Sequence, residues 1–113
     1  ISHYTTRTAN GISNLNFQAL TPLKLGAMDA GSFEQFMVDH LEIREFGNIV
    51  LRNELKQKVE KEIGMASLTA KERLVKFREQ YPLLENMIPH TAISTYLGIT
   101  NISLSRLRSE LLK

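Results

Sequence analysis

Residues 91–107 read TAISTYLGITNISLSRL, and this stretch restricts the fold more than any other. Ile93, Leu97, Ile99, Leu104 and Leu107 carry the spacing of two short helices that share a small core. Gly98 sits between them, where positive φ lets one helix end and the next leave at a steep angle. Thr100 can cap the second helix through its hydroxyl. Ser94 is small enough for the two helices to cross closely. The pattern is that of a helix-turn-helix, whose second helix would lie in the major groove of DNA.

The rest of the chain supplies the setting. Its 113 residues are 42% hydrophobic, enough for one compact domain or two small units joined by a shared helix. Asn10-Gly11 signals a turn. Leu15, Phe17 and Ala19 alternate with polar neighbours, as in a half-buried strand. After a turn at Thr21-Pro22, residues 23–28 read as a second strand, and the two form a hairpin that needs further strands as partners. Ser32 with Gln35 is a capping-box pattern opening a short helix that ends near His40. A long helix follows from Leu41 to Ala66, with Ile43, Phe46, Ile49, Val50, Leu55, Val59 and Ile63 assigned to roughly one side. Such a stripe faces either a core or a second copy, and the helix's length and its place between two units favour self-pairing. Gly47 is explained by a close helix–helix approach, a kink or simple tolerance. Thr69 with Glu72 opens another helix, which Pro82 stops. The expected class is α+β and mostly helical, with domains at 1–40, 41–67 and 68–113. No wing is evident beyond the second helix of the pair.

On that second helix Leu104 and Leu107 face inward, and the remaining positions are candidates for DNA contact. Arg106 suits a bidentate bond to guanine, Asn101 suits adenine, and Ile102 suits a thymine methyl. Thr91, Thr100, Ser103, Ser105 and Ser109 suit hydrogen bonds to phosphate or base, and Arg108 and Lys113 suit phosphate. From residue 87 onward the only acid is Glu110. A helical hairpin with a merely solvated face is the competing interpretation of the same pattern.

Other chemistry finds little support. Without cysteine, disulfides, thiolate zinc sites and cysteine-held clusters are excluded from this segment. His3, His40 and His90 lack metal-ligand spacing, and no nucleophile elbow, phosphate-cradling glycine loop or His-Glu metal motif occurs. The chain is expected to be neither an enzyme nor a metal protein, and no cofactor is expected. No apolar run reaches the roughly 18 residues of a membrane helix, so a cytoplasmic location is expected. Starting at Ile1, the chain reads as a fragment lacking upstream parts.

The order of these parts resembles the Crp/Fnr family of bacterial transcription regulators. The likeness is strongest from Tyr81-Pro82 through Ala92-Ile93-Ser94-Thr95-Tyr96-Leu97-Gly98-Ile99-Thr100 to Leu104-Ser105-Arg106-Leu107-Arg108, and Phe17-Gln18-Ala19-Leu20 resembles the end of the family's cyclic-nucleotide-binding-like β-roll. The resemblance implies a homodimer joined through the Leu41–Ala66 helix, bound to a near-palindromic site on double-stranded DNA with its reader helices ~34 Å apart. It also implies a sensory domain and RNA polymerase as a partner. Departures from the family pattern limit it. Ile12 stands where ligand-binding members carry the arginine that pairs with the cyclic phosphate, which argues against cyclic nucleotide. The β wing that usually follows the family's recognition helix is not evident, and Ile102 stands where many members carry an acid that reads cytosine. A dimeric scaffold that has lost DNA binding is the alternative from another class.

Overall fold

The structure is a computed structural model that describes residue 10 and residues 12–112. Five α-helices and one 3-10 turn follow one another: α1 (Ala30–Asp39), α2 (Leu41–Ser67), α3 (Ala70–Gln80), the turn Leu84–Asn86, α4 (His90–Leu97) and α5 (Asn101–Leu111). The chain is mostly helical, as expected, and no strand forms among the described residues.

The expected hairpin is therefore absent from residues 12–29. Leu15, Phe17, Leu23, Leu25 and Met28 are all exposed there. A strand gains its stability from a ladder partner and a buried face, and each apolar side chain left in water forgoes about 1.5–3 kcal/mol. Neither is supplied within this stretch. Gly11, in the expected turn, and Lys113 lie outside the described residues.

Two compact units divide the chain, 1–59 and 60–113. In the first, α1 is capped by Asp29, whose carboxylate accepts from the Ser32 backbone N–H at 2.9 Å and from its hydroxyl at 3.1 Å. The expected Ser32–Gln35 box is not used, because Gln35 instead donates to Asp39, four residues on, at 3.1 Å. Helix α1 ends at His40, whose extended backbone separates it from α2. The close approach at Gly47 is real and internal to the unit. A Cβ on Gly47 would meet Met37 Cε at 2.8 Å and Phe33 Cζ at 3.6 Å, so α1 lies against α2 at this glycine.

Helix α2 is 27 residues long, about 40 Å at 1.5 Å per residue. Its apolar residues do not form the single stripe expected. At roughly 100° per residue, Leu55 points opposite to Phe46, nine positions earlier. Both are exposed, as are Ile49 and Val59.

The hydrophobic core lies in the second unit, to which the last turns of α2 belong. Leu74, Phe77, Ile93, Leu97 and Leu104 are buried, and Tyr81, Leu84, Ile88, Tyr96, Ile99, Leu107 and Leu111 pack around them. Helix α3 opens with the full capping box. Thr69 Oγ1 accepts from the Glu72 N–H at 3.3 Å, and Glu72 accepts from the Thr69 N–H at 2.8 Å. Pro82 ends the helical run through a turn in which the Leu84 N–H donates to the Tyr81 carbonyl at 3.2 Å. Leu83 occupies the third position of that turn with φ 69°, ψ −14°. This is the type II geometry that glycine favours there.

Candidate nucleic-acid interface

The two helices of the initial stretch form and meet at Gly98. Its φ of 66° and ψ of 38° are left-handed. The Gly98 N–H donates to the Thr95 carbonyl at 3.1 Å, and the Ile99 N–H reaches back to Ser94 at 3.0 Å. This pair of bonds is the Schellman arrangement, which satisfies carbonyls that a helix end would otherwise leave open. Met65 of α2 covers the glycine so closely that a Cβ there would collide with its Cε. Thr100 then caps α5, accepting from the Ser103 N–H at 3.1 Å.

The core sides of α4 and α5 are fixed by Ile93, Leu97 and Leu104, and by a bond between the helices. Buried Ser94 donates its hydroxyl to Asn101 Oδ1 at 2.6 Å. A hydroxyl is thus matched where two helices cross, which avoids the cost of a buried unpaired polar group.

Arg73 on α3 organises the surroundings from one position. Its Nε donates to the Leu97 carbonyl at 3.0 Å and its Nη1 to the Leu68 carbonyl at 2.6 Å. A single cation therefore serves the C-terminal ends of α4 and α2, where open carbonyls and the helix dipoles favour positive charge. Nearby, Lys61 Nζ stands 3.7 Å from the centroid of the Tyr96 ring, a cation–π geometry. Tyr96 also packs against Phe77 and Tyr81. Burial, and next the bond with Tyr81, push its phenol up to about 12.

A second polar network ties α5 down. Glu85, 9% exposed, accepts two bonds from Arg78, Nε to Oε2 at 2.5 Å and Nη2 to Oε1 at 3.0 Å. Arg108 Nε reaches the same Oε1 at 3.1 Å, and Arg108 Nη1 lies against the His90 ring. The Arg78 bonds hold the Glu85 carboxyl below its usual value despite burial, with Arg108 and His90 adding smaller attractions.

The nine expected contact residues therefore divide. Ile102, Ser105, Arg106 and Ser109 are exposed and fall within about 100° of the α5 circumference, at the helical step of 100° per residue. Ile102 is 74% exposed. The Ser109 hydroxyl donates back to the Ser105 carbonyl at 3.2 Å, the habit of serine inside a helix. Thr91 is exposed in the first turn of α4. The hydroxyls of Thr100 and Ser103 bond each other at 2.9 Å. Asn101 is exposed with its Oδ1 accepting from Ser94, and Arg108 is half-buried with its Nε paired to Glu85.

The sequence reading missed Arg73, Arg78 and Glu85. A buried acid in a 3-10 turn flanked by arginines seven residues before and 23 after leaves no local signal. Among the described residues no group of three or more His, Asp or Glu is placed to hold a metal. No helix there is long and apolar enough to cross a membrane. Compared with protein-family models, with characterised proteins and with solved structures, the chain matches none.

Proposed function

We propose that the chain is a sequence-specific DNA-binding transcription regulator that acts as a homodimer. In this reading α4 and α5 are a helix-turn-helix, and α5 is its reader. The observation that carries it is the joint at Gly98, which fixes α5 through Leu104 and Asn101 while Ile102, Ser105 and Arg106 stand outward on one face. The first half of a reader helix is the part that meets base edges. Arg106 would bind guanine, Ser105 and Thr91 would bond phosphate or base, and Ser109 would sit further along the groove.

Helix α2 would pair with its copy through Leu55, Val59 and Ile63, which follow one another at four-residue steps and are 61%, 45% and 59% exposed. Residues 1–40 would be the edge of a β-roll sensory domain whose strands form only against the rest of their sheet. The exposed Leu15, Phe17 and Leu25 support this. Uncharged Ile12 argues against a cyclic nucleotide as its ligand.

The test is a mobility-shift series on random and on selected DNA across a range of salt. Binding should weaken steeply as salt rises, because phosphate contacts release counterions. Selection from random sequences should return a two-fold symmetric site. Arg106→Ala should abolish preference for that site, a loss of about 1–3 kcal/mol of discrimination, while weak general binding survives. Equal loss on selected and random DNA would refute base reading by Arg106.

The engagement of Arg108 by Glu85 leaves Arg106 as the one cation of the outward face of α5 among the described residues. That favours a second reading, a dimeric scaffold without DNA binding. Such a protein would show no salt-sensitive shift on any DNA.

A further inference from the structure

A single exposed apolar side chain carries no function by itself. Ile102 differs in its company. Of the polar side chains that α5 could offer in its first two turns, Asn101 is bonded to Ser94, and Ser103 is bonded to the capping Thr100. Arg108, further along, is held by Glu85. Ile102, Ser105 and Arg106 have no such engagement with the described residues and are all exposed, Ile102 at 74%. The outward face is thus an apolar branched side chain and a guanidinium one helical turn apart, with a serine between them.

From this juxtaposition we infer that α5 discriminates the 5-methyl group of a pyrimidine lying close to the guanine bound by Arg106. The inference rests on the DNA-reading role proposed above. Four residues of α-helix rise about 6 Å, and successive bases of one strand are about 3.4 Å apart. Ile102 and Arg106 therefore reach bases that are adjacent or one apart. In the major groove a pyrimidine presents one apolar feature, the C5 methyl group, carried by thymine and equally by 5-methylcytosine. An isoleucine gains by covering that methyl group and has no hydrogen bond to offer any base edge. Its specificity would come from the methyl group alone, so cytosine should become acceptable when methylated.

The experiment uses the full chain and its selected site, with each thymine replaced in turn by deoxyuridine, and by cytosine with and without a 5-methyl group. At one position per half-site, deoxyuridine should bind about three- to fivefold more weakly than thymine, the effect of one buried methyl group. Ile102→Ser should bind both alike. A matching gain of 5-methylcytosine over cytosine extends the contact to methylated DNA. A gain confined to thymine over deoxyuridine overturns readout of the methyl group alone, because a 5-methylcytosine offers Ile102 the same group. Methyl-indifferent binding by the wild-type chain, with salt-sensitive binding intact, overturns the inference alone. Absence of salt-sensitive binding to the unmodified site overturns the DNA-reading role, and this inference with it.

Discussion

Replacing Glu85 by glutamine removes one buried charge from the second unit and keeps the side chain's shape. In the wild-type chain that carboxylate takes both bonds of Arg78 and one contact from Arg108. A glutamine keeps one carbonyl acceptor, loses both ion pairs, and leaves two guanidinium groups close together. Hydrogen bonds to a charged partner contribute about 1.5–3 kcal/mol each, and breaking a fully buried pair costs about 3–5 kcal/mol. The arginine side chains are 33% and 27% exposed, so water takes over part of the lost role and the expected cost falls to about 2 kcal/mol. For a domain of this size that lowers Tm by roughly 10 °C. The pH dependence has a definite sign. Glu85 has a folded value lowered from 4.5, so its contribution is complete above that value and is lost as pH falls through the lower folded one. Thermal unfolding followed by circular dichroism should separate wild type from Glu85→Gln fully at pH 7. The gap should close in acid. Glu72 is also lowered, but it is common to both chains and cancels in the difference. Equal melting at pH 7, or a gap undiminished about two units below pH 4.5, would refute the network's role.

Two left-handed residues give opposite expectations. Gly98→Ala should cost about 1–2 kcal/mol for its backbone alone and must also displace Met65, whereas Gly98→Asn should cost less because asparagine tolerates this conformation. Denaturant midpoints that rank alanine equal to asparagine would count against this account. Leu83 holds φ 69° while 74% exposed, so Leu83→Asn should relieve strain with little burial lost and gain about 0.5 kcal/mol. A lower denaturant midpoint for Leu83→Asn would show that this leucine is held by packing instead.

What was legible in the sequence is what short-range chemistry decides. The Thr69–Glu72 box, the stop at Pro82, the left-handed Gly98 and the Thr100 cap each depend on residues at most five apart, and each forms. Where two local solutions competed, the choice was not legible. Asp29 and Ser32 both suit a cap, and Asp29 prevails because its carboxylate takes two donors from Ser32. The strands failed for a different reason. Alternation at residues 15–19 states what a sheet would accept, but a strand exists only with a neighbour. On α2 the apolar residues are too widely spread around the axis to form one face, as the half-turn between Phe46 and Leu55 makes plain.

The candidate interface carries the same division between residue type and partner. Asn101, Arg106 and Arg108 are equally suited to DNA by chemistry and all lie on α5. Their fates are set by what the fold brings to each. Position 101 falls where α5 crosses α4, beside the hydroxyl of Ser94, and position 108 falls against the turn that presents Glu85. Position 106 meets neither, so its charge stays outward. Glu85 is buried, and a carboxylate away from water is costly unless paired; Arg78 meets both of its oxygens and Arg108 adds a third contact. If α5 reads DNA as proposed, Arg106 and the apolar side chain one turn before it are the exposed groups left to carry its selectivity.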